Sequence, residues 1–147
     1  MLYQLIYRSR YVSAVGGASS ALRDIVAASE RNNARDRLTG FLVFDKLHFL
    51  QILEGDEADV ERAFSRIEAD PRHDDIAVIA RRSIDHRAFP EWAMGGCVRS
   101  AEVDHIYQSH RSGGDPSQAD ADDLVELARE IADWEARRAQ SRGLSRY

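Results

Sequence analysis

The stretch LTGFLVFDKLHFLQILE, residues 38–54, decides the fold of this chain. Residues 38–45 and residues 48–54 are runs of strand length, and both contain the apolar and aromatic side chains that favour β-structure. Only Lys46 and Leu47 separate the two runs, which is a connection of hairpin length. We therefore predict a β-hairpin over 38–54.

Helices and strands are predicted on both sides of this hairpin. The predicted order is a strand at 2–8, a helix that ends near Asn33, the hairpin, a helix that begins after Gly55 and Asp56, a loop at 70–75, a strand at 76–84 and a short strand at about Trp92–Cys97. This order is typical of a ferredoxin-like α/β sandwich, in which both crossover helices lie on one face of a mixed sheet. The opposite face of the sheet would then need a further layer.

Residues 100–147 are predicted to supply that layer. An apolar stripe at helical spacing runs through Leu124, Leu127, Ile131 and Trp134. We expect cap helices here that cover the second face of the sheet. The expected organisation is a sandwich domain at 1–99 followed by a C-terminal helical segment at 100–147.

The composition argues against several classes of function. The chain has 147 residues, and no apolar run approaches the roughly 20 residues that span a bilayer. Its net charge is −5 with both signs interspersed, so we expect neither a nucleic-acid nor a membrane partner. The single cysteine, Cys97, agrees with a reducing cytoplasm, and the five histidines lack metal-ligand spacing. We therefore predict a cytoplasmic protein without a metal site.

Polar side chains interrupt the apolar pattern at a few positions. Gln51 shares a strand face with Phe49 and Leu53, because successive side chains of a strand alternate between faces. Asn32 lies seven residues after Ile25 and therefore continues the apolar stripe of the first helix, as Asn33 does after Val26. A carboxamide buried without partners costs a few kcal/mol, so these groups need hydrogen-bond partners.

Each of these residues also has a plain structural explanation. Asn33 could be only a helix C-cap, Gln51 could bond to the backbone of a β-bulge, and Tyr7 could be a core residue with its hydroxyl at the edge. Taken together, amides that donate and accept suit the rim of a planar heterocycle such as the pyrimidine end of a flavin. The spacing alone predicts a polar pocket for a small planar ligand and no more.

Five segments together resemble a known family, the BLUF domain, a sensor of blue light using a flavin. They are LIYRSR at 5–10, SERNNARDRLTGFLVFD at 29–45, FLQILEG at 49–55, RIEADPRHDD at 66–75 and FPEWAMG at 89–95. The resemblance covers roughly residues 1–100 in the correct order, and the chain also resembles the short members, in which the light-sensing domain is followed only by a small helical cap. After about residue 100 the resemblance fades.

The resemblance implies a non-covalently bound FAD, with FMN or riboflavin as alternatives, and it implies roles for individual residues. Tyr7 matches the tyrosine that reduces the excited flavin, and Gln51 matches the glutamine between that tyrosine and the ring. The cofactor-binding residues that we expect are Ile25, Asn32, Asn33, Arg66, Asp70 and His73. Trp92 and Met94 match the pair that relays the signal from the glutamine, and the spacing places them on one face of the short strand.

The expected function is therefore that of a blue-light photoreceptor and not of an enzyme. Its signal would leave through the last strand and the cap helices to an unknown partner protein or through a homo-oligomer. Two alternatives remain open from the residues: a small-ligand-binding regulatory module of the same fold without photochemistry, and a flavin enzyme. Against the enzyme, the chain has no recognisable substrate-activating motif.

Overall fold

A computed structural model describes residues 1–12, 17–45, 47–91, 93–110 and 120–141, and for 17–22, 30 and 141 it describes the backbone alone. The chain forms β1 (Leu2–Tyr11), α1 (Gly17–Asp36), β2 (Thr39–Phe44), β3 (His48–Asp56), α2 (Glu57–Glu68), β4 (His73–Ser83), β5 (Gly95–Val98), α3 (Asp104–Gln108) and α4 (Ala121–Ser141). The predicted hairpin is β2–β3, and the predicted order of elements is confirmed.

The five strands form one mixed sheet in the order β4-β1-β3-β2-β5. All neighbouring pairs are antiparallel except β2 and β5, which are parallel. The pairing of β1 with β3 sets Tyr7 directly opposite Gln51. This topology is the ferredoxin-like sandwich that the sequence predicted, with one additional parallel edge strand.

Each face of the sheet has its own hydrophobic core, and alternation along β3 assigns side chains to them. Phe49 and Leu53 belong to the core beneath α1 and α2, which also contains Val26, Val60, Ala63 and Phe64. Leu50 and Ile52 belong to the core beneath the cap, which also contains Leu124, Leu127 and Ile131. We call these the helix-pair face and the cap face. The predicted cap over the second face is confirmed, and the domain boundary at 99/100 stays a prediction.

The end of α1 differs from the prediction. The helix continues through Asn33 to Asp36, so Asn33 is not its C-cap. Instead, Arg37 adopts a left-handed backbone with φ of 60°, and the Leu38 N–H donates to the Asn33 carbonyl at 2.8 Å. This is a Schellman-type end that is usually made by glycine, and the arginine at this position concealed it from the sequence.

Two further boundaries also differ. β4 begins at His73, inside the predicted loop at 70–75. β5 is shorter than predicted and begins at Gly95. The predicted cap helices are the short α3 and the long α4.

Cys97 lies in the core of the cap face, where it is 5% exposed. Burial, with a smaller contribution from Glu135, raises the pKa of its thiol to about 12. The thiol is therefore protonated at neutral pH and packs as a small core residue. Within the described part of the chain, no helix is both long enough and apolar enough to cross a bilayer.

Candidate functional site

A cleft opens between α1 and α2 on the helix-pair face of the sheet, with a cavity volume of about 170 Å³. The photochemical and cofactor-binding residues predicted from the sequence all line it: Tyr7, Ile25, Asn32, Asn33, Gln51, Arg66, Asp70 and His73. They come from β1, α1, β3, α2 and the turn that leads into β4. The fold therefore brings the predicted set together at one place.

Tyr7 and Gln51 form the floor of this cleft. Their opposed positions on β1 and β3 allow the Tyr7 hydroxyl to donate a short hydrogen bond to Gln51 Oε1. Gln51 Nε2 in turn donates to the Met94 sulfur at 3.5 Å. All three side chains are buried, so the phenol, the amide and the thioether form a continuous chain within the core.

The protonation of Tyr7 is set by its surroundings. The side chain is 3% exposed and packs against Phe64 with ring centroids 5.4 Å apart. Burial, and to a smaller extent the charge of Asp70, raises the pKa of Tyr7 above its ordinary value. The phenol is therefore neutral over the physiological pH range and holds a proton that it donates to Gln51.

Asn33 connects the cleft to the segment before β5. Its Nδ2 donates to the Ala93 carbonyl at 2.9 Å, and its side chain is buried. Asn32 is half-buried beside it and also lines the cleft. The sequence therefore placed both amides on the correct helix face, although it missed the structural bond that Asn33 makes.

The side chain of Met94 packs against a glycine of strand β2, Gly40. A Cβ atom added at Gly40 would lie 3.2 Å from Met94 Cε and 2.0 Å from the Ile52 carbonyl oxygen. The absence of a side chain at Gly40 therefore makes room for the methionine beside Gln51. Trp92, the other predicted relay residue, lies outside the described residues.

The remaining wall of the cleft combines apolar side chains with charged groups that are paired within the protein. Arg66 on α2 donates to Asp36 at the end of α1, with Nη2 and Oδ2 3.0 Å apart. Both ring nitrogens of His73 are engaged, Nδ1 with Ser9 Oγ and Nε2 with the Ile67 carbonyl, each at 2.7 Å. His73 would therefore contact a ligand through its ring carbons, and its predicted cofactor role stays a prediction.

Arg72 is a cleft residue that sequence reasoning missed. It bonds to Asp70 through its backbone N–H at 2.9 Å and through its side chain, and this pairing lowers the pKa of the Asp70 carboxyl. The signal that could have found it is its position directly between Asp70 and His73 in the turn before β4. Other lining residues that were not singled out are Ala28, Ser29, Leu42, Leu53, Ala63 and Ile67.

The chemistry of the cleft fits the heterocyclic ring of a flavin. Amide groups of Asn32 and Gln51 offer both donors and acceptors, and an amide nitrogen has a second hydrogen to donate. Ile25 and Phe49 supply apolar contacts for the faces or edges of a planar ring. Fold and cleft together define a sandwich domain that holds a planar, hydrogen-bonding ligand against a buried tyrosine.

Comparison with known proteins identifies this class more closely. A family model described as "Sensors of blue-light using FAD" matches residues 2–95. The chain therefore belongs to the BLUF family, as its sequence motifs predicted. Among solved structures it is similar to BlsA in its photo-activated state, with 27% identity, a TM-score of 0.79 and coverage of 88% of this chain and 94% of that one.

A second similar structure is the dark state of the BLUF protein BlrB, with 27% identity, a TM-score of 0.74 and coverage of 88% of this chain and 96% of that one. Among curated relatives, the alpha subunit of the photoactivated adenylate cyclase of Euglena gracilis is 29% identical over 105 residues. Those residues are 71% of this chain but only 10% of the relative. The cyclase activity in that name therefore belongs to a far longer protein.

Family membership establishes the general function. Residues 2–95 are therefore a blue-light sensor domain of the family that uses FAD. The roles of individual cleft residues and the route by which the signal leaves are proposals, developed below.

Proposed function

We propose that the protein senses blue light through Tyr7 and Gln51, and that it passes the signal to α4 and then to a partner protein. The observation that carries this proposal is the buried hydrogen-bond chain from the Tyr7 hydroxyl through Gln51 to Met94 at the floor of the cleft. Oxidation of the Tyr7 phenol would therefore change the hydrogen bonds of Gln51, and Gln51 also contacts Met94, just before β5. Ile25, Asn32, Asn33, Arg66, Asp70 and His73 would hold the cofactor.

When bound, a flavin supplies a chromophore for blue light and, once excited, an oxidant for a nearby phenol. Oxidation of Tyr7 makes its hydroxyl strongly acidic, so the proton moves from Tyr7 Oη onto Gln51 Oε1. An oxygen that carries a proton donates instead of accepting, so the original bond between the two residues reverses. When an electron returns to Tyr7, one proton also returns to its oxygen, and the net loss of one hydrogen from Gln51 Nε2 balances the proton kept on Oε1. Gln51 is then left as the imidic-acid tautomer, an isomer of the starting amide, and is free to rotate.

The rearranged Gln51 acts on residues 88–94, which we call the relay segment. On the helix-pair side, Gln51 Nε2 bonds to Met94 and Asn33 Nδ2 bonds to Ala93. A glutamine with altered donors cannot keep the same bond to the Met94 sulfur, so this end of the segment shifts. Trp92, within the relay segment, is proposed to respond together with Met94.

Arg129 on α4 holds the other end of the relay segment. Its Nη1 donates to the Ala88 carbonyl at 2.9 Å and to Glu91 Oε2 at 3.0 Å. Glu91 lies nearer than Ala88 to Met94, so movement of the Met94 end would reach α4 through the bond between Glu91 and Arg129. A coupling of about 1–3 kcal/mol between cleft and cap is enough for a signal of this kind.

The output that we propose is a change in the binding of a protein partner in trans or in self-association. α4 covers the cap face, and its outward side chains would form the surface whose binding to a partner or to a second copy changes with light. The single buried thiol agrees with a cytoplasmic location for such a partner.

Absorption spectroscopy tests the proposal. The purified protein, loaded with FAD, should show a small reversible red shift under blue light. In Tyr7→Phe, FAD should remain bound while the red-shifted state is lost. Tyr3→Phe is the matched control, because Tyr3 lies on the same strand but its hydroxyl donates to Glu61 at 3.0 Å.

The outcomes separate the competing functions. A Tyr7→Phe protein that still cycles normally would show that the electron donor is another residue. Uptake of FAD without any light-induced shift in the unmutated protein would favour the ligand-binding module. Stable bleaching on addition of a reductant and a substrate would favour the flavin enzyme.

A further inference from the structure

A cluster of one histidine and three carboxylates lies at the cap, far along the chain from the cleft residues. It joins His110, which follows α3, to Asp123, Glu126 and Glu130 on α4. The three acidic residues are spaced i, i+3 and i+7, so they lie on one side of the helix. The sensing mechanism uses none of these side chains.

Three members of the cluster are arranged as metal ligands. One ligand atom from each of His110, Asp123 and Glu126 lies within 4.8 Å of the other two. Glu130 Oε2 lies 3.0 Å from His110 Nε2, and Asp123 Oδ1 lies 2.9 Å from His110 Nδ1. A carboxylate on one ring nitrogen fixes the orientation of the ring and presents the other nitrogen, which is how proteins orient metal-binding histidines.

The burial of Asp123 is the independent observation that points to a ligand. The side chains of His110 and Asp123 are only 6% and 7% exposed. Asp123 Oδ2 is buried and has no hydrogen-bond partner, although a buried carboxylate oxygen normally has one. A divalent cation beside this carboxylate would satisfy that oxygen. In the absence of a cation, the same residues form an ion pair around His110.

We propose that His110, Asp123 and Glu126 bind one divalent transition-metal ion of the zinc type, with Glu130 as the residue that orients His110. Imidazole together with carboxylates suits zinc, and three protein ligands leave a position for water. The bound ion would fasten residue 110 to the first half of α4. Neighbouring Asp122 on this helix bonds to Arg82 of β4 at 2.7 Å, so the ion would hold the cap close to the sheet.

Titration of the whole tag-free protein with ZnCl₂ after treatment with EDTA tests the site. Calorimetry should show one zinc ion per chain, and the melting temperature should rise with zinc. Glu126→Gln should weaken binding at least about tenfold, and Glu130→Gln should weaken it by about 10–100-fold through loss of ring orientation. Glu126 is exposed, so its substitution should leave the fold intact.

Asp122→Asn is the matched control because it removes one negative charge from the same turn of α4 without removing a ligand. Zinc affinity should stay near that of the unmutated protein in Asp122→Asn. Equal weakening in Asp122→Asn and Glu126→Gln would overturn the proposal, since it would mean attraction by charge alone. No binding heat and no change in melting temperature at millimolar ZnCl₂ would also overturn it. Both results are independent of flavin and light.

Discussion

Each face of strand β3 carries one buried polar side chain, and the two differ in their hydrogen bonding. On the helix-pair face, Gln51 has one short bond to Tyr7 and one long bond to the Met94 sulfur, and it borders a cavity. On the cap face, Glu54 is completely buried, and its carboxyl oxygens accept from Gln4 Nε2 and from the backbone N–H groups of residues 88 and 89 at 2.9–3.0 Å. Gln51 thus makes two bonds within the protein at the edge of the cleft, whereas Glu54 accepts three bonds away from the cleft.

In the proposed function, this difference separates a switching residue, Gln51, from an anchoring residue, Glu54. Glu54 anchors the start of the relay segment, because two of its three donors are backbone groups of that segment. Gln51 contacts the end of the same segment through a bond to the Met94 sulfur, which is a weak acceptor, and Asn33 holds the neighbouring Ala93. In the proposed function, the bond to Met94 is therefore the contact that changes, while Glu54 keeps the start of the segment in place.

Replacing the buried polar side chain on either face by an apolar one should produce the largest effects on stability and photochemistry. Glu54→Ala leaves three donors unpaired in a dry core, so we expect a loss of about 3–5 kcal/mol in the free energy of unfolding. Gln51→Leu leaves the Tyr7 hydroxyl unpaired next to the cleft, so we expect a loss of only about 1–2 kcal/mol together with complete loss of the light-induced red shift. Urea denaturation in the dark and absorption spectroscopy measure the two quantities.

Glu54→Ala should therefore have the larger effect on stability, and Gln51→Leu should have the larger effect on photochemistry. A Gln51→Leu protein that was as unstable as Glu54→Ala would contradict the distinction between the faces. So would a Gln51→Leu protein that retained the red shift.

The next largest effect is expected at Gly40, behind Met94. A methyl group there would meet the Ile52 carbonyl, which is backbone in the middle of the sheet and cannot move aside. We expect Gly40→Ala to cost about 2–3 kcal/mol in unfolding free energy. Gly55→Ala is the control, because its nearest obstacle, at 2.4 Å, is the flexible end of Leu38, and it should cost clearly less. Equal costs would mean that the sheet relaxes around Gly40.

Much of the fold could be predicted from the sequence because its strands and helices carry clear periodic patterns. The hairpin at 38–54 predicted the centre of the sheet, and the stripe from Leu124 to Ile131 predicted the helix that covers its cap face. The errors fell where the signal was a backbone conformation or a tertiary bond. Nothing in the residue type of Arg37 indicates a left-handed helix end, and nothing near Met94 indicates that β5 begins only at Gly95.

The cleft residues could be predicted because polar groups at apolar positions need an explanation, and the family motifs supplied one. The partners of those groups could not be predicted. The bond from Asn33 to Ala93 joins positions 60 residues apart, and the bonds of Glu54 join positions up to 50 residues apart. The acidic run near 120–126 is typical of a helix start, and only the fold brings His110 to it.

Arg129 should have a moderate effect that appears in transmission and not in photochemistry. Arg129→Gln removes its bonds to Ala88 and Glu91, so we expect a loss of about 1–2 kcal/mol in stability and a normal red shift. Blue light should then change the hydrogen exchange of α4 amides less than in the unmutated protein. Arg138→Gln is the control, since Arg138 lies on the same helix and pairs with Glu135 and Glu102 instead. An undiminished light effect in Arg129→Gln would show that the signal takes another route.

The smallest effect is expected at a position that belongs to neither face. Arg37 is exposed and left-handed at the end of α1, where glycine avoids the steric cost of a Cβ atom. Its carbonyl accepts from Arg87 at 3.0 Å, a bond that any residue would keep. Arg37→Gly should therefore raise the free energy of unfolding by about 0.5–1 kcal/mol and leave the red shift unchanged. Arg35→Gly, two residues earlier in the helical part, should lower it by about 1 kcal/mol. If both substitutions destabilised the protein equally, the left-handed turn would not be what ends the helix.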